Sequence, residues 1–386
     1  MDAATTDTPD SHTGEASHHG NRDRIFRSMV PDAIPLSSLR RALVIKLRHH
    51  GDVLLTSPVF STLKRVAPQC EVDALIYAET APMLDGHPAI AQLHWIDRNW
   101  KRQGVSAQAG AEWRLIKALR DRQYDLVVHL TEAKRGAWLV RLLRPQWAVA
   151  PRQKGNFWQN SFTHFYPHAS NPRRHTVEIN LDALRRIGIQ PTDADKKVTL
   201  VPGAEAETRV EGLLAERDLS GRDFVHLHPA SRWLFKCWPA AKVAQLADAL
   251  AARGLAIVLT AAPDPNETAL MDEVRANTRA RIVDLSGQLS LKELAALTAR
   301  ARLFVGVDSA PMHIAAAMGT PTVALFGPSG DIEWGPWRTA HRVVASNIHP
   351  CRPCGLDGCG GGKVSECLTT LPVERVLAAC DELLAL

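Results

Sequence analysis

The stretch 301–328, ARLFVGVDSAPMHIAAAMGTPTVALFGP, limits the fold more than any other part of the chain. Residues 303–307 form a short apolar run, the pattern of a strand buried on both faces of a parallel sheet. Asp308 and Ser309 follow, either of them able to cap a helix, and Pro311 is tolerated in a first helical turn. His313 sits one turn in, the helix continues through 314–318, and Gly319 supplies a stop. Residues 320–326 then read as the next buried strand. Such a strand–turn–helix–strand unit presents Asp, Ser and His at the carboxyl end of a sheet. Ligands of open α/β sheets bind at that end, and the unpaired N–H groups of a helix start favour an anion. The unit reads as the floor of a nucleotide-diphosphate site. The alternative is that Asp308 and Ser309 only cap the helix and His313 is an ordinary core histidine.

The same pattern recurs along the chain. Residues 1–36 are polar, without hydrophobic periodicity, and are expected to be a disordered tail. Strands are expected at 42–47, 72–77, 93–96, 126–130 and 147–150, with helices at 53–66, 111–122 and 136–143 between them. The aromatic and polar run 151–171 reads as a long loop or lid. A helix at 176–187 and a linker at 191–197 follow. A second series begins at Val198, with strands at 224–228, 255–260, 282–285, 303–307 and 322–326. Its helices fall at 240–253, 266–278 and 290–299, the last opened by a Ser290/Glu293 capping box. The division expected is a first α/β domain over 37–190, a second over 198–371 with a cysteine-rich loop at 351–367, and a terminal helix over 372–386. A cleft should lie between the two domains.

Totals exclude several classes. At 386 residues the chain is long enough for two full cores. No apolar run spans a bilayer, and the polar start lacks the core of a signal peptide, so a cytoplasmic location is expected. A formal net charge of +5 is modest, so basic sites must be local and no nucleic-acid partner is expected. Seven cysteines in a reducing compartment argue against a disulfide framework. Cys351, Cys354, Cys359 and Cys367 follow C-x2-C-x4-C-x7-C. Free thiols shaping a loop is the reading preferred, and a tetrahedral metal site is the alternative.

Three clusters should meet at the cleft. Arg48-His49-His50-Gly51-Asp52 ends the first strand, and Asp52 is either a helix cap or a carboxylate acting as general base. His228 to Pro239, HPASRWLFKCWP, offers Ser231 and Lys236 to phosphates. The third is the 308–313 turn. Asp264 and Glu267, in another strand-end loop, bring carboxylates suited to ribose hydroxyls. Neither GxGxxG nor GxxxxGK[ST] follows any strand, so neither a conventional dinucleotide site nor a P-loop is supported.

These residues resemble the ADP-heptose:lipopolysaccharide heptosyltransferases, within them the heptosyltransferase III branch, from about Arg41 to the C-terminus. The likeness rests on RHHGDVLLTSPV (48–59), HPAI (87–90), LTEAKRGA (130–137), HPASRWLFKCWP (228–239), DLSG (284–287), VGVDSAPMHIAAAMGTP (305–321), LFGPSG (325–330) and CRPCGLDGCGGGKVSECL (351–368). It implies an α/β fold of GT-B type, two Rossmann-like domains facing each other across a cleft. It implies Asp52 as catalytic base, with Ser231, Lys236, Glu267, Asp308, Ser309, Ala310 and His313 holding the donor, ADP-heptose. Relatives often carry two hydroxyls where this chain has Ala230-Ser231, and Thr-Gly where it has Ser309-Ala310.

The acceptor implied is lipid A–inner core lipopolysaccharide at the cytoplasmic face of the inner membrane, with peripheral membrane contact and no cofactor required. Arg48, Lys64, Arg65, Lys134 and Arg135 could meet its phosphates, Arg48 and Arg135 first because they sit at strand ends. Transfer would invert the anomeric centre. A nucleotide-sugar epimerase of the same architecture and a non-catalytic metal-binding protein are the rival readings.

Overall fold

A computed structural model describes residues 33–167 and 173–385. The first half runs β1 (Arg41–Ile45), α1 (His50–Leu54), α2 (Ser57–Val66), β2 (Glu71–Tyr77), β3 (Leu93–Ile96), α3 (Val105–Asp121), β4 (Leu126–His129), α4 (Lys134–Leu143), β5 (Trp147–Pro151), α5 (Asn156–Gln159), β6 (His164–Tyr166) and α6 (Thr176–Arg186). The second half runs α7 (Ala204–Glu216), β7 (Phe224–His228), α8 (Ala240–Ala251), β8 (Ala256–Leu259), α9 (Pro265–Asn277), β9 (Ile282–Asp284) and α10 (Leu291–Arg300). It continues through β10 (Leu303–Val307), α11 (Ala310–Met318), β11 (Thr322–Phe326), α12 (Asp331–Trp334), β12 (His341–Ala345), α13 (Glu366–Thr369) and α14 (Val373–Leu384).

Each half builds one six-stranded sheet, in the orders β3-β2-β1-β4-β5-β6 and β12-β11-β10-β7-β8-β9. Counted within its own half, the second order is the same as the first. Both are the doubly wound order, which reverses direction between its first and fourth strands. That reversal lies between β1 and β4, where Ala42 pairs with Leu126, and between β7 and β10, where Val225 pairs with Leu303. Every strand pairing is parallel. Strands such as β7, β10 and β11 are buried at all five positions, which explains their unbroken apolar runs.

Helices close both faces of each sheet. One apolar cluster joins β1, β2 and β4 to α2 and α6, and it also takes in Leu294, Ala295 and Ile314 from the second half. The opposite face of the first sheet packs Leu115 and Leu119 of α3 with Ala137 and Val140 of α4. The terminal helix α14 lies on the second sheet through Val376, Cys380 and Leu383.

Four expectations change. Residues 1–32 of the expected tail lie outside the described residues, but 33–36 are packed: Ile34 is buried and its N–H donates to Ile187 O at 3.2 Å. The stretch 53–66 is two helices, α1 and α2, because the chain turns at Leu55 and Thr56. The expected loop 151–171 contains α5 and the edge strand β6, anchored by Trp158, whose Nε1 donates to Pro151 O at 2.9 Å; residues 168–171 of it lie outside the described residues. The linker at 191–197 is tied down, since Arg65 grips the buried Asp195 through two 2.6 Å bonds. The capping box at Ser290 and Glu293 is present as expected.

Candidate active site

The two switch points face each other. On the first side, β1 runs into Lys46 and Leu47, both buried, and then into the exposed Arg48 and His49. His49 occupies the N-cap position of α1 without a side-chain bond, and Asp52 stands in the first turn. Asp52 is therefore not the cap, and its carboxylate acts electrostatically on Lys46, His49 and His313. Lys46 donates to Asn180 Oδ1 at 3.1 Å and Leu130 O at 3.3 Å. Burial pushes its ammonium down to about 8, against the pull of Asp52.

On the second side, Lys236 closes a short turn after β7. Its Nζ lies 2.5 Å from Asp308 Oδ2, at the end of β10, and 5.0 Å from the Trp233 ring centroid. Neither Asp308 nor Ser309 is a bonded cap. Ser309 is the N-cap residue of α11, but its hydroxyl donates backward to Val307 O at 3.3 Å, and Asp308 is engaged by Lys236. The first turn of α11, opening at Ala310, is thus left without a side-chain cap, which suits an anion. Ser231 is buried, and its Oγ accepts from Trp233 N at 3.4 Å. Glu267, buried in the first turn of α9, accepts from Ala262 N at 2.9 Å, and burial raises its carboxyl above the usual range. Asp264 caps that helix.

The halves touch through His313. Its ring is buried, its Nδ1 has no hydrogen-bond partner among the described residues, and burial lowers its pKa against the pull of Asp308 and Asp52. A buried polar atom without a partner is uncommon, and at this seam it leaves a nitrogen free to meet a water or a ligand atom. A Cβ on Gly51 would come within 2.7 Å of His313 Cδ2, so only glycine lets α1 lie this close. His49 meets Trp233 across the same gap, ring centroids 5.7 Å apart and edge to face. Gly51→Ala should therefore push the two halves apart at Asp52 and His313. Turnover should fall about tenfold or more while the melting temperature changes little, since misplacement of reacting groups by about 1 Å is costly. Wild-type turnover in this variant would show that the contact carries no alignment.

Beneath the Lys236 turn lies a buried network. Thr260 Oγ1 sits 2.6 Å from His226 Nε2 and 2.8 Å from His228 Nδ1, and Thr298 Oγ1 is 3.0 Å from His226 Nδ1. Burial pushes His228, and likewise His129 and His175, down to about 4 from the ordinary 6.5. Between those values the unfolded chain binds protons that the folded chain refuses. Stability present above pH 6.5 is consequently lost as pH falls toward 4, by about 3 kcal/mol for each fully buried imidazole. Urea midpoints measured across that window should drop steadily. A flat midpoint would mean that these rings charge in place without cost.

Other expected residues lie elsewhere. Lys64 donates to Pro68 O and Cys70 O at the C-terminal end of α2, beside the start of β2 and so at the far edge of the sheet. Arg65 is held by Asp195. Arg135 opens α4 at the carboxyl edge but pairs with Glu112 of α3. Cys351, Cys354 and Cys359 are exposed and Cys367 is buried. Among the described residues no group of three or more His, Cys, Asp or Glu side chains could hold a metal ion. The cysteine loop instead buttresses the Lys236 turn. Ser365 Oγ donates to Phe235 O at 2.6 Å, and Arg352 Nε donates to Gly327 O at 2.6 Å.

Lys46 and Asn180 stand at the candidate site without having been singled out in the sequence, and Trp233 was marked only as part of the 228–239 cluster, with no role of its own. For Lys46 the signal was present, a lysine inside an otherwise apolar strand. Asn180 lies 134 positions away on α6, and nothing local marks it.

Two parallel sheets of the doubly wound order, with opposed switch points and an uncapped helix start, define a GT-B architecture. Residues 112–364 match the family model described as glycosyltransferase family 9 (heptosyltransferase). The chain belongs to glycosyltransferase family 9, the heptosyltransferases. It is 38% identical to lipopolysaccharide heptosyltransferase 3 of Escherichia coli K12, over 88% of this chain and 96% of that one. It is 27% identical to lipopolysaccharide heptosyltransferase 1 of Pseudomonas aeruginosa, over 89% and 98%. Among solved structures, a family 9 glycosyltransferase from Veillonella parvula superposes with a TM-score of 0.78 at 22% identity, covering 92% of this chain and 99% of that one. The E. coli ADP-heptose lipopolysaccharide heptosyltransferase II gives 0.71 at 22%, over 89% and 98%. Membership of this family sets aside the epimerase and the non-catalytic metal-binding readings.

Proposed function

We propose that this chain moves heptose from ADP-L-glycero-D-manno-heptose to a heptose of the lipopolysaccharide inner core, with inversion at the anomeric carbon. The observation that carries the reading is the identity with lipopolysaccharide heptosyltransferase 3 along nearly the whole chain. The first half, 37–190, takes the acceptor, and the second, 198–371, takes the nucleotide sugar. Asp52 accepts the proton of the attacking hydroxyl. Lys236, the Ser231 hydroxyl and the start of α11 stabilise the charge that grows on the departing diphosphate. Asp308 acts by holding Lys236 in place, Glu267 binds the ribose, and His313 offers its unpartnered nitrogen to the donor. Arg48, exposed just after β1 and four residues before the base, is the cation offered to an acceptor phosphate.

Direct displacement needs one base and one stabilised leaving group, and these residues supply both. No helix among the described residues is long and apolar enough to cross a membrane. Contact with a membrane-borne acceptor is therefore assigned to the surface. Incubation with ADP-heptose and core-truncated lipopolysaccharide, followed by mass spectrometry, tests the reading. One added heptose per acceptor, with the inverted linkage, is expected. Isomerised nucleotide sugar with unmodified acceptor would overturn it.

A further inference from the structure

We propose that the outer face of α3 and α4, with the edge strand β3, is a docking surface for an anionic lipid bilayer. This rests on the glycolipid acceptor proposed above and names the surface that meets its membrane. Trp95, Trp113 and Trp138 are 51%, 66% and 64% exposed, although an indole is ordinarily well buried. Val105 and Leu142 on the same helices are exposed as well. On α3, Ala111, Leu115 and Leu119 face the sheet, which turns Trp113, Lys117 and Arg120 outward together. On α4, Lys134, Trp138, Arg141 and Leu142 form the outward stripe. The Glu112–Arg135 ion pair joins the two helices, Glu112 next to Trp113 in sequence and Arg135 three residues before Trp138. The Trp138 ring leans on Phe157 of α5, centroids 4.7 Å apart, and stays largely exposed.

Its charge matches a membrane rather than a second protein core. Residues 97–122 carry seven basic and three acidic side chains, and 134–144 carry four basic and no acidic ones. Their combined excess is larger than the net +5 of the entire chain. Arg98, Lys117, Arg122 and Arg135 are paired with Glu79, Asp121, Asp73 and Glu112. Lys101, Arg102, Arg114 and Arg120 have no ion-pair partner among the described residues. Between β3 and α3 runs a groove of about 280 Å³ with Trp95, Trp100 and Leu115 in its walls and Arg114 among its lining residues. Exposed indoles among unpaired cations are the combination that settles at a lipid headgroup layer, the rings at the acyl boundary and the cations among the phosphates.

The full chain is sedimented with vesicles of phosphatidylethanolamine and phosphatidylglycerol in equal parts, and with vesicles of phosphatidylcholine alone. It should bind the first and not the second, with binding weakened by salt, and brominated acyl chains should quench its tryptophan fluorescence. Trp113→Ser combined with Trp138→Ser, and separately Arg114→Glu combined with Arg120→Glu, should each cut binding about tenfold or more at unchanged melting temperature. Transfer to a detergent-dispersed acceptor should stay as in the wild type. Absence of wild-type binding or of quenching, or variants that bind like the wild type, would overturn the proposal. So would a wild-type dimer that these variants turn into monomers, because the face would then belong to a second copy. Sedimentation needs no turnover, so vesicle binding without heptosyl transfer would uphold the surface and overturn the function proposed above.

Discussion

Asp52→Asn should retain the fold and the affinity for ADP but lose transfer by about a hundred- to ten-thousand-fold, the usual effect of removing a general base. Asparagine keeps the size of the side chain and its place in the first turn of α1, where Asp52 makes no cap bond. What disappears is the proton acceptor and the negative charge felt by Lys46, His49 and His313. The loss should therefore fall on kcat rather than on donor KM. Asp52→Glu should recover part of the rate if the proton transfer is what matters. Near-normal turnover in Asp52→Asn would assign the base to another group facing the cleft.

Lys236→Ala should weaken ADP binding and reduce transfer by roughly a hundred- to a thousandfold, as expected when a preorganised cation at a developing anion is lost. The substitution also leaves Asp308, with 8% of its side chain exposed, beside the buried His313 without its partner. Breaking a buried pair by removing one member costs about 3–5 kcal/mol, so the melting temperature should fall too. Asp308→Asn separates these effects. It frees Lys236 from its anchor while keeping the cation, so ADP affinity should survive better than turnover. Calorimetric titration with ADP, alongside melting curves, decides the matter. Unchanged affinity in Lys236→Ala would move the diphosphate to another part of the second half.

How much of this was legible in the residues depended on burial and distance. Strands β7, β10 and β11 match their expected limits because every side chain in them is buried, which writes a continuous apolar run. The edge strands β6 and β12 escaped notice for the opposite reason. His164-Phe165-Tyr166 is three residues long and partly open, and in β12 only Val344 is fully buried. Local patterning also singled out Asp52, Lys236, Asp308 and His313 as candidates. It carried nothing about their spatial relations: Lys236 and Asp308 stand 72 positions apart, and the Gly51–His313 approach joins different sheets. That Asp52 and Asp308 do not cap helices, and that Ser309 holds an N-cap position without a cap bond, shows only in their hydrogen bonds.

The apolar cluster under α2 and α6 includes Leu294, Ala295 and Ile314, which the second half contributes. That sharing bears on how such chains diversify. If the sheets met only at polar loops, an ancestor could exchange one half for another at no structural cost. Here an incoming half must bring apolar side chains that complete its neighbour's interior. Leu294 and Ala295 lie on α10, and Ile314 follows His313 directly on α11. A substitution at this seam therefore acts on the core of one half and on the site between both. With the acceptor on the first half, as proposed above, new acceptor preferences would arise more readily in the loops at the carboxyl edge of the first sheet, which can vary without reopening that seam.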